Sequence, residues 1–291
     1  MYGALIGDCV GSFWEFSGNK DPDFPLWVPA CRFTDDSVCT AAMANWLVDQ
    51  GQGAGKVLHR VARGHVGAGF GNLMTAWLLS DQPKPQKSWG NGSAMRVSPV
   101  ALWAADEEEL LRLARESALP THHTPEAING AKATAWAIRQ AFEHRDPAAL
   151  LLQVEQRFGY EGLSALDPIL VRPTHRFDVS CAGTVPLALA IACTAGSFDQ
   201  TLRLCCSMGG DADTLGAIAG PVAEALYGIP AQHMENARAR FPVEDELWEA
   251  VEAIYQTPAV KERLTKWGWP NGSTVIEQTD PRRVPPIHAC A

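Results

Sequence analysis

Residues 209–220 read GGDADTLGAIAG. Gly209 and Gly210 can end one helix and turn the chain sharply. Asp211 and Asp213 then stand at the start of a second helix, beginning near Thr214, whose apolar run leads into the interior. Pro221 follows Gly220 and predicts a kink or restart at that point. Far upstream, residues 33–37 read FTDDS and place Asp35 and Asp36 at another helix start. An Asp in a first turn is favoured by capping and by the helix dipole, so either pair alone has a structural explanation. The two together need a further one. Each pair has a hydroxyl neighbour, Thr34 before Asp35 and Thr214 after Asp213. Four carboxylates and two hydroxyls form a hard, all-oxygen donor set that fits Mg²⁺ or Mn²⁺ and does not resemble a zinc site. Like charges gathered in a partly buried place need a cation to offset their repulsion. Two ions are the natural count for four carboxylates.

The chain around these motifs has 291 residues, 46% of them hydrophobic and 20% charged. That is enough to bury a large core, and no low-complexity run interrupts it. The formal net charge of −9 makes a nucleic-acid partner a poor fit, since such binding needs clustered Lys and Arg. The apolar start, MYGALIGDCVGSFW, carries Asp8 and has neither a basic region nor a cleavage site, so it does not read as a signal peptide. No stretch reaches the length of a membrane span. The eight cysteines form no CxxC pair and sit mostly in apolar context. They read as buried reduced thiols, which predicts a cytoplasmic protein.

Helical signals dominate. Residues 34–48 carry apolar residues at helical spacing. Residues 105–118 run from Asp106 and Glu109 to Arg112 and Arg115, in the sense the dipole favours. Thr124 is a candidate N-cap with Pro125 and Glu126 behind it. Ser197 and Gln200 form a capping-box pattern. Residues 187–195 are apolar on every side, which suits a helix buried all round. Alternating strand patterns are missing, and 17–33 and 80–92 read as loops. The expected architecture is all-α, a single domain over 1–266, with 267–291 as a C-terminal extension that is wrapped on the fold or partly disordered.

Three further places can carry chemistry. In SWGNGSAMRVSP, residues 88–99, Gly90 and Gly92 free the backbone, and the amides near Ser93 can cradle a phosphate or form an ordinary turn. Arg96 there reads as structural. His122 and His123 precede the Thr124 cap and lack helical partners for zinc. Glu15 lies among Phe13, Trp14 and Phe16, a setting that raises a carboxyl pKa and suits general acid or base work. It reads equally as a surface residue between core aromatics.

Taken in order, GALIGDCVGSFWEF, FTDDS, SWGNGSAMRVSP, THHTPEAINGA and MGGDADTLGAIAGPVAEALYG resemble the ADP-ribosylglycohydrolase family over residues 3 to 228. The resemblance implies an all-α fold around a cleft holding two Mg²⁺ or Mn²⁺ ions on Thr34, Asp35, Asp36, Asp211, Asp213 and Thr214. It implies contact of Gly90, Asn91, Gly92 and Ser93 with ADP-ribose, His122 near the ribose or phosphate, and Glu15 acting in or gating catalysis. The segment GHVGAGFGNLM, residues 64–74, departs from the family pattern and belongs to a part that can shape the substrate opening. The expected reaction is metal-dependent hydrolysis of the glycosidic bond of an ADP-ribosylated protein or small molecule, releasing ADP-ribose. Glu15, Asp36 and Asp213 are the catalytic candidates. An arginine-linked acceptor is favoured over an O-linked one, serine-linked or polymeric. Rival readings are a nucleotide phosphohydrolase with the same oxygen ligands and a non-catalytic relative that binds ADP-ribose. The protein is expected to be a monomer.

Overall fold

The computed structural model describes residues 1–49, 51–242, 245–269 and 272–276. Among them the regular secondary structure is almost wholly helical. The helices in order are α1 (Tyr2–Gly11), α2 (Asp35–Val48), α3 (Ala54–Arg63), α4 (Asn72–Leu79), α5 (Gly92–Met95), α6 (Ser98–Trp103), α7 (Glu107–Ala118), α8 (Pro125–His144), α9 (Pro147–Phe158) and α10 (Pro168–Val171). Then come α11 (Cys181–Thr194), α12 (Phe198–Ser207), α13 (Ala212–Tyr227), α14 (Ala231–Arg238), α15 (Glu246–Gln256) and α16 (Pro258–Lys266). Two two-residue strands, β1 (Ile229–Pro230) and β2 (Val275–Ile276), pair in parallel. The all-α expectation holds.

Caps set the helix starts, at Thr124 and Ser197 as read and at Thr34 and Asp106 besides. Thr34 caps α2, Asp106 caps α7 through Glu109 N at 2.8 Å, Thr124 caps α8 through Ala127 N and Ser197 caps α12 through Gln200 N. Each side-chain oxygen accepts from an amide that has no partner within its helix.

The centre of the fold is α13 against α1. Every residue of α13 from Ala212 to Leu226 is buried, and so is all of α1. The two helices meet backbone to backbone. A Cβ at Gly7 would lie 2.1 Å from the Gly216 carbonyl oxygen, one at Gly3 2.3 Å from that of Gly220, and one at Gly11 2.4 Å from the Asp213 Cα. Glycine at these positions is therefore a condition of the contact. α11 and α12 pack on other sides of α13.

One expectation is corrected in part: α13 continues through Pro221 without a restart, and it opens at Ala212, close to the expected start near Thr214. Packing of the fully buried helix outweighs the donor that Pro221 lacks. Residues 272–276 of the tail reach back onto the fold: β2 pairs with β1, and buried Thr274 donates to Glu224 Oε1 at 2.8 Å. The rest of the tail, with Cys290, lies outside the described residues. The other seven cysteines are buried and unpaired. Among the described residues no helix is long and apolar enough to cross a membrane.

Candidate active site

The N-termini of α2 and α13 converge beside the C-terminal half of α1. They open on a cavity of about 560 Å³. Two oxygen clusters form there. Carboxylate oxygens of Asp8, Asp36 and Asp213 lie within 4.8 Å of one another, and so do those of Glu15, Asp211 and Asp213. Thr34 Oγ1 and Thr214 Oγ1 each lie 3.4 Å from Asp36 Oδ2. Asp35, one residue from Asp36, lines the same cavity, with Oδ1 near Gly69. The glycine pair before α13 works as the sequence implies: Gly209 takes φ +64 and turns the chain so that Asp211 and Asp213 face the cavity.

Asp8 was not among the sequence candidates, yet it organises this end of the site. It accepts from Thr34 N at 2.9 Å, Thr34 Oγ1 at 2.6 Å and Ser37 N at 3.0 Å, and from the Ser37 hydroxyl. It thus fixes the first turn of α2 from a neighbouring helix. With the Thr34 proton given to Asp8 and one lone pair accepting from Asp36 N, one lone pair of the hydroxyl remains for a ligand. A single charge inside the apolar run ALIGDCV is the signal that marks such a residue, since a buried carboxylate needs partners.

The electrostatics match a cation site. Burial pushes the Asp35 carboxyl up to about 7, with the Asp8 charge adding to it. Asp36 is raised by burial and by the charges of Asp35, Asp8 and Asp211. Asp213 is raised by burial and by Asp36 and Asp211. Asp211 is raised by burial, and hydrogen bonds, led by that from Asn91 Nδ2 at 2.6 Å, act against it. Among the carboxylate oxygens of this site, buried Asp36 Oδ1 has no hydrogen-bond partner. Orphaned buried oxygens are rare, and a hard divalent cation is the partner that this donor set fits. The clusters can hold metal.

The remaining sequence candidates divide. Gly90, Asn91, Gly92, His122 and Glu15 line the cavity. Gly92 allows His122 to come close, since a Cβ there would sit 2.9 Å from the ring. Burial and the nearby Arg96 charge push the His122 pKa down, so it offers neutral hydrogen bonding, with Nδ1 2.7 Å from Thr121 Oγ1. Ser93 is not among the residues that line the cavity. Its hydroxyl is fully buried and donates to the Ala127 carbonyl at 2.8 Å, because the first turn of α5 packs it against α8. Arg96 is structural as read: it is buried and donates to Ser117 O and Thr121 Oγ1. Glu15 is half-buried. Burial pushes its pKa up to about 7, helped by the Asp211 and Asp8 charges and opposed by Arg32. From the atypical segment, residues 68–74 form one wall. Sequence reading did not single out Arg32, Phe177 or Val179, which also line the cavity.

Comparison with known proteins bears on this site. The family model described as ADP-ribosylglycohydrolase matches residues 1–263. The human protein ADP-ribosylhydrolase ARH3 is 27% identical over 307 aligned positions, covering 79% of this chain and 84% of that protein. ADP-ribosylarginine hydrolase Tri1 of Pseudomonas putida is 23% identical, covering 79% of this chain and 70% of that one. A solved structure, titled ADP-ribosylglycohydrolase-related protein complex, superposes with a TM-score of 0.66 at 25% identity, over 88% of this chain and 95% of the other.

Proposed function

The chain belongs to the ADP-ribosylglycohydrolase family, and from that premise we propose that it hydrolyses the C1″ glycosidic bond of ADP-ribosylated substrates at the cavity between α1, α2 and α13. The observation that carries this reading is the pairing of Glu15, a carboxyl held near neutrality, with the carboxylates of Asp211 and Asp213 within 4.8 Å. Glycoside hydrolysis needs one carboxyl to give a proton and another to stay ionised, and a cation bound beside Asp211 and Asp213 would keep those two ionised.

Two Mg²⁺ or Mn²⁺ ions, held by Thr34, Asp35, Asp36, Asp211, Asp213 and Thr214, would bind ribose hydroxyls and acidify a water. The chain's own groups supply the rest. Asp36 or Asp213 takes the water proton. Glu15 protonates the leaving atom. The surrounding carboxylates stabilise the oxocarbenium-like state by their negative charge. Asn91 anchors Asp211 through its amide, and its second contact, to Thr184 Oγ1 at 3.1 Å, fixes that amide in place. Gly90, Gly92 and neutral His122 shape the wall where the nucleotide diphosphate would lie, by shape and hydrogen bonding.

For the leaving group we infer an oxygen-linked acceptor in place of the arginine-linked one that the sequence favours. An alkoxide needs protonation more than a guanidine does, and a Glu15 near pKa 7 supplies it. Arg32 shares the wall and its charge acts on Glu15, which disfavours a cationic acceptor. The oxygen-linked acceptor is therefore the better reading, and the arginine-linked one its rival. The test incubates the protein and Mg²⁺ with serine-linked and arginine-linked ADP-ribosyl substrates at equal concentration. Free ADP-ribose is the expected product; AMP or inorganic phosphate would mean a phosphohydrolase. A kcat/KM ratio favouring arginine by more than about tenfold, ~1.4 kcal/mol of transition-state preference, would restore the arginine reading.

A further inference from the structure

We propose that Lys20 is a positioning residue: its ammonium fixes the loop that carries Glu15 against the turn that carries Asp211 and Asp213, and so sets the spacing of these carboxyl groups in the cavity. The inference rests on the hydrolase reading above and adds a residue to it. Glu15 and Asp211 come from distant parts of the chain. Glu15 lies just past the end of α1, and its amide donates to Gly11 O at 3.0 Å. Asp211 follows the Gly209–Gly210 turn at the end of α12. A contact between the two segments is needed to hold their carboxylates at one separation, and Lys20 supplies it. Its Nζ donates to Met208 O, the carbonyl that precedes the turn, and to His175 O at 3.0 Å. A Cβ at Gly209 would lie 2.9 Å from Asn19 O and 3.1 Å from Lys20 Cε, and one at Gly210 3.0 Å from His175 Nε2. The turn thus touches both residues 18–20 and residues 175–176, and the ammonium joins all three segments.

A cation at the C-terminus of α12 is favoured by the helix dipole, which accounts for the contact with Met208 O. It does not account for the rest. Partial burial and the charges of Arg176 and Arg172 hold the Lys20 pKa below the usual lysine value, and Lys20 has no ion pair among the described residues. A flexible stem would let the three donors of an ammonium turn to water; two of them bind backbone carbonyls of two other segments instead. The loop beyond Lys20 is pinned separately. Arg203 Nη1 donates to Pro22 O at 3.1 Å and to Phe24 O at 2.8 Å, Trp27 Nε1 to His233 Nδ1 at 2.9 Å, and Arg240 Nη2 to Val28 O at 3.2 Å. None of these partners belongs to the turn. Without the ammonium the loop therefore stays on the fold, while Glu15 is free to shift relative to Asp211 and Asp213. A misplacement of ~1 Å caused away from the chemistry can cost on the order of 100-fold in rate.

The test compares the full chain as wild type, Lys20→Met, Lys20→Arg and Arg203→Ala. Lys20→Met keeps the apolar stem and removes the donors, and Lys20→Arg restores them. Arg203→Ala unpins the loop at Pro22 and Phe24 without touching the turn, and so measures a merely structural role. Mn²⁺ affinity is read by calorimetry, the melting temperature by circular dichroism, and kcat and KM by release of ADP-ribose from a serine-linked peptide. Lys20→Met is expected to bind Mn²⁺ at least fivefold more weakly and to lose at least tenfold in kcat, with KM changed less than threefold. Lys20→Arg is expected to recover most of both losses. Arg203→Ala is expected to melt at a lower temperature and to keep its Mn²⁺ affinity within twofold of wild type. Wild-type Mn²⁺ affinity in Lys20→Met, or an equal loss of it in Arg203→Ala, overturns the proposal, and so does a wild type that binds no Mn²⁺. If the Mn²⁺ affinities follow the expected order while wild type cleaves no ADP-ribosyl substrate, the hydrolase reading fails and the positioning role stands. Should Lys20→Met not fold, Lys20→Gln, which keeps one donor group, takes its place with the same expected direction in Mn²⁺ affinity and kcat.

Discussion

Asp211→Asn keeps the shape of the side chain and removes its charge from the group formed with Glu15 and Asp213. Turnover should fall at least ~100-fold, the lower end of what one strong electrostatic group contributes. Mn²⁺ affinity measured by calorimetry should fall with it. Glu15 makes a second test at this scale. As the proton donor it must be neutral, so activity should decline as pH rises through its pKa, which is about 7 without metal and lower beside a bound cation. Glu15→Gln should lower kcat, abolish that limb of the pH profile and leave the melting temperature near that of wild type. A fully active variant would make Glu15 a bystander. The residues of this site were legible in unequal degree. Asp211 and Asp213 stand out because glycines and a hydroxyl surround them in one short stretch. Asp8 was missed because its partners, Thr34 and Ser37, come from another helix. The hydroxyl of Ser93 could not be placed from its local motif, because its partner is the Ala127 carbonyl of α8.

At the scale of the element, cap chemistry was the readable part. Thr124 and Ser197 act within three residues of themselves, so sequence alone reports them, and Thr34 and Asp106, read there for other reasons, cap in the same local way. Pro221 was not readable in that way. Its effect on α13 depends on the packing that holds the helix on all sides, and packing is a long-range property. The glycines of α1 follow the same logic. Gly3, Gly7 and Gly11 are spaced to share a helix face, but what they meet is the backbone of α13, which no local pattern shows. Gly7→Ala should therefore destabilise the protein at the upper end of the ~1–3 kcal/mol typical of overpacking, or beyond it, because the added methyl meets rigid backbone rather than a movable side chain. A denaturant midpoint close to wild type would mean the two helices separate more easily than their contact suggests.

Across the whole molecule, stability and metal are linked through the buried acids. Asp35 and Glu15 have pKa values raised to about 7. A raised carboxyl pKa favours the folded state while the group is protonated, so that contribution is complete below about pH 4 and is lost as pH rises through 7. The metal-free protein should melt at progressively lower temperature between pH 4 and 7. Added Mg²⁺ or Mn²⁺ should raise the melting temperature, and more at pH 8 than at pH 5, because binding to the folded state adds RT ln(1 + [L]/Kd). An equal rise at both pH values would detach the acids from the metal. The glycine contact between α1 and α13 carries a consequence for how the chain reaches its native state. These helices lie near opposite ends of the matched region, so their meeting closes a loop of most of the chain and belongs among the slowest contacts to form. The two halves of the carboxylate cluster ride on helices joined by that late event, and no ion can find its ligands before it. Divalent metal should then slow unfolding, as read by stopped-flow fluorescence in denaturant, while leaving the refolding rate nearly unchanged.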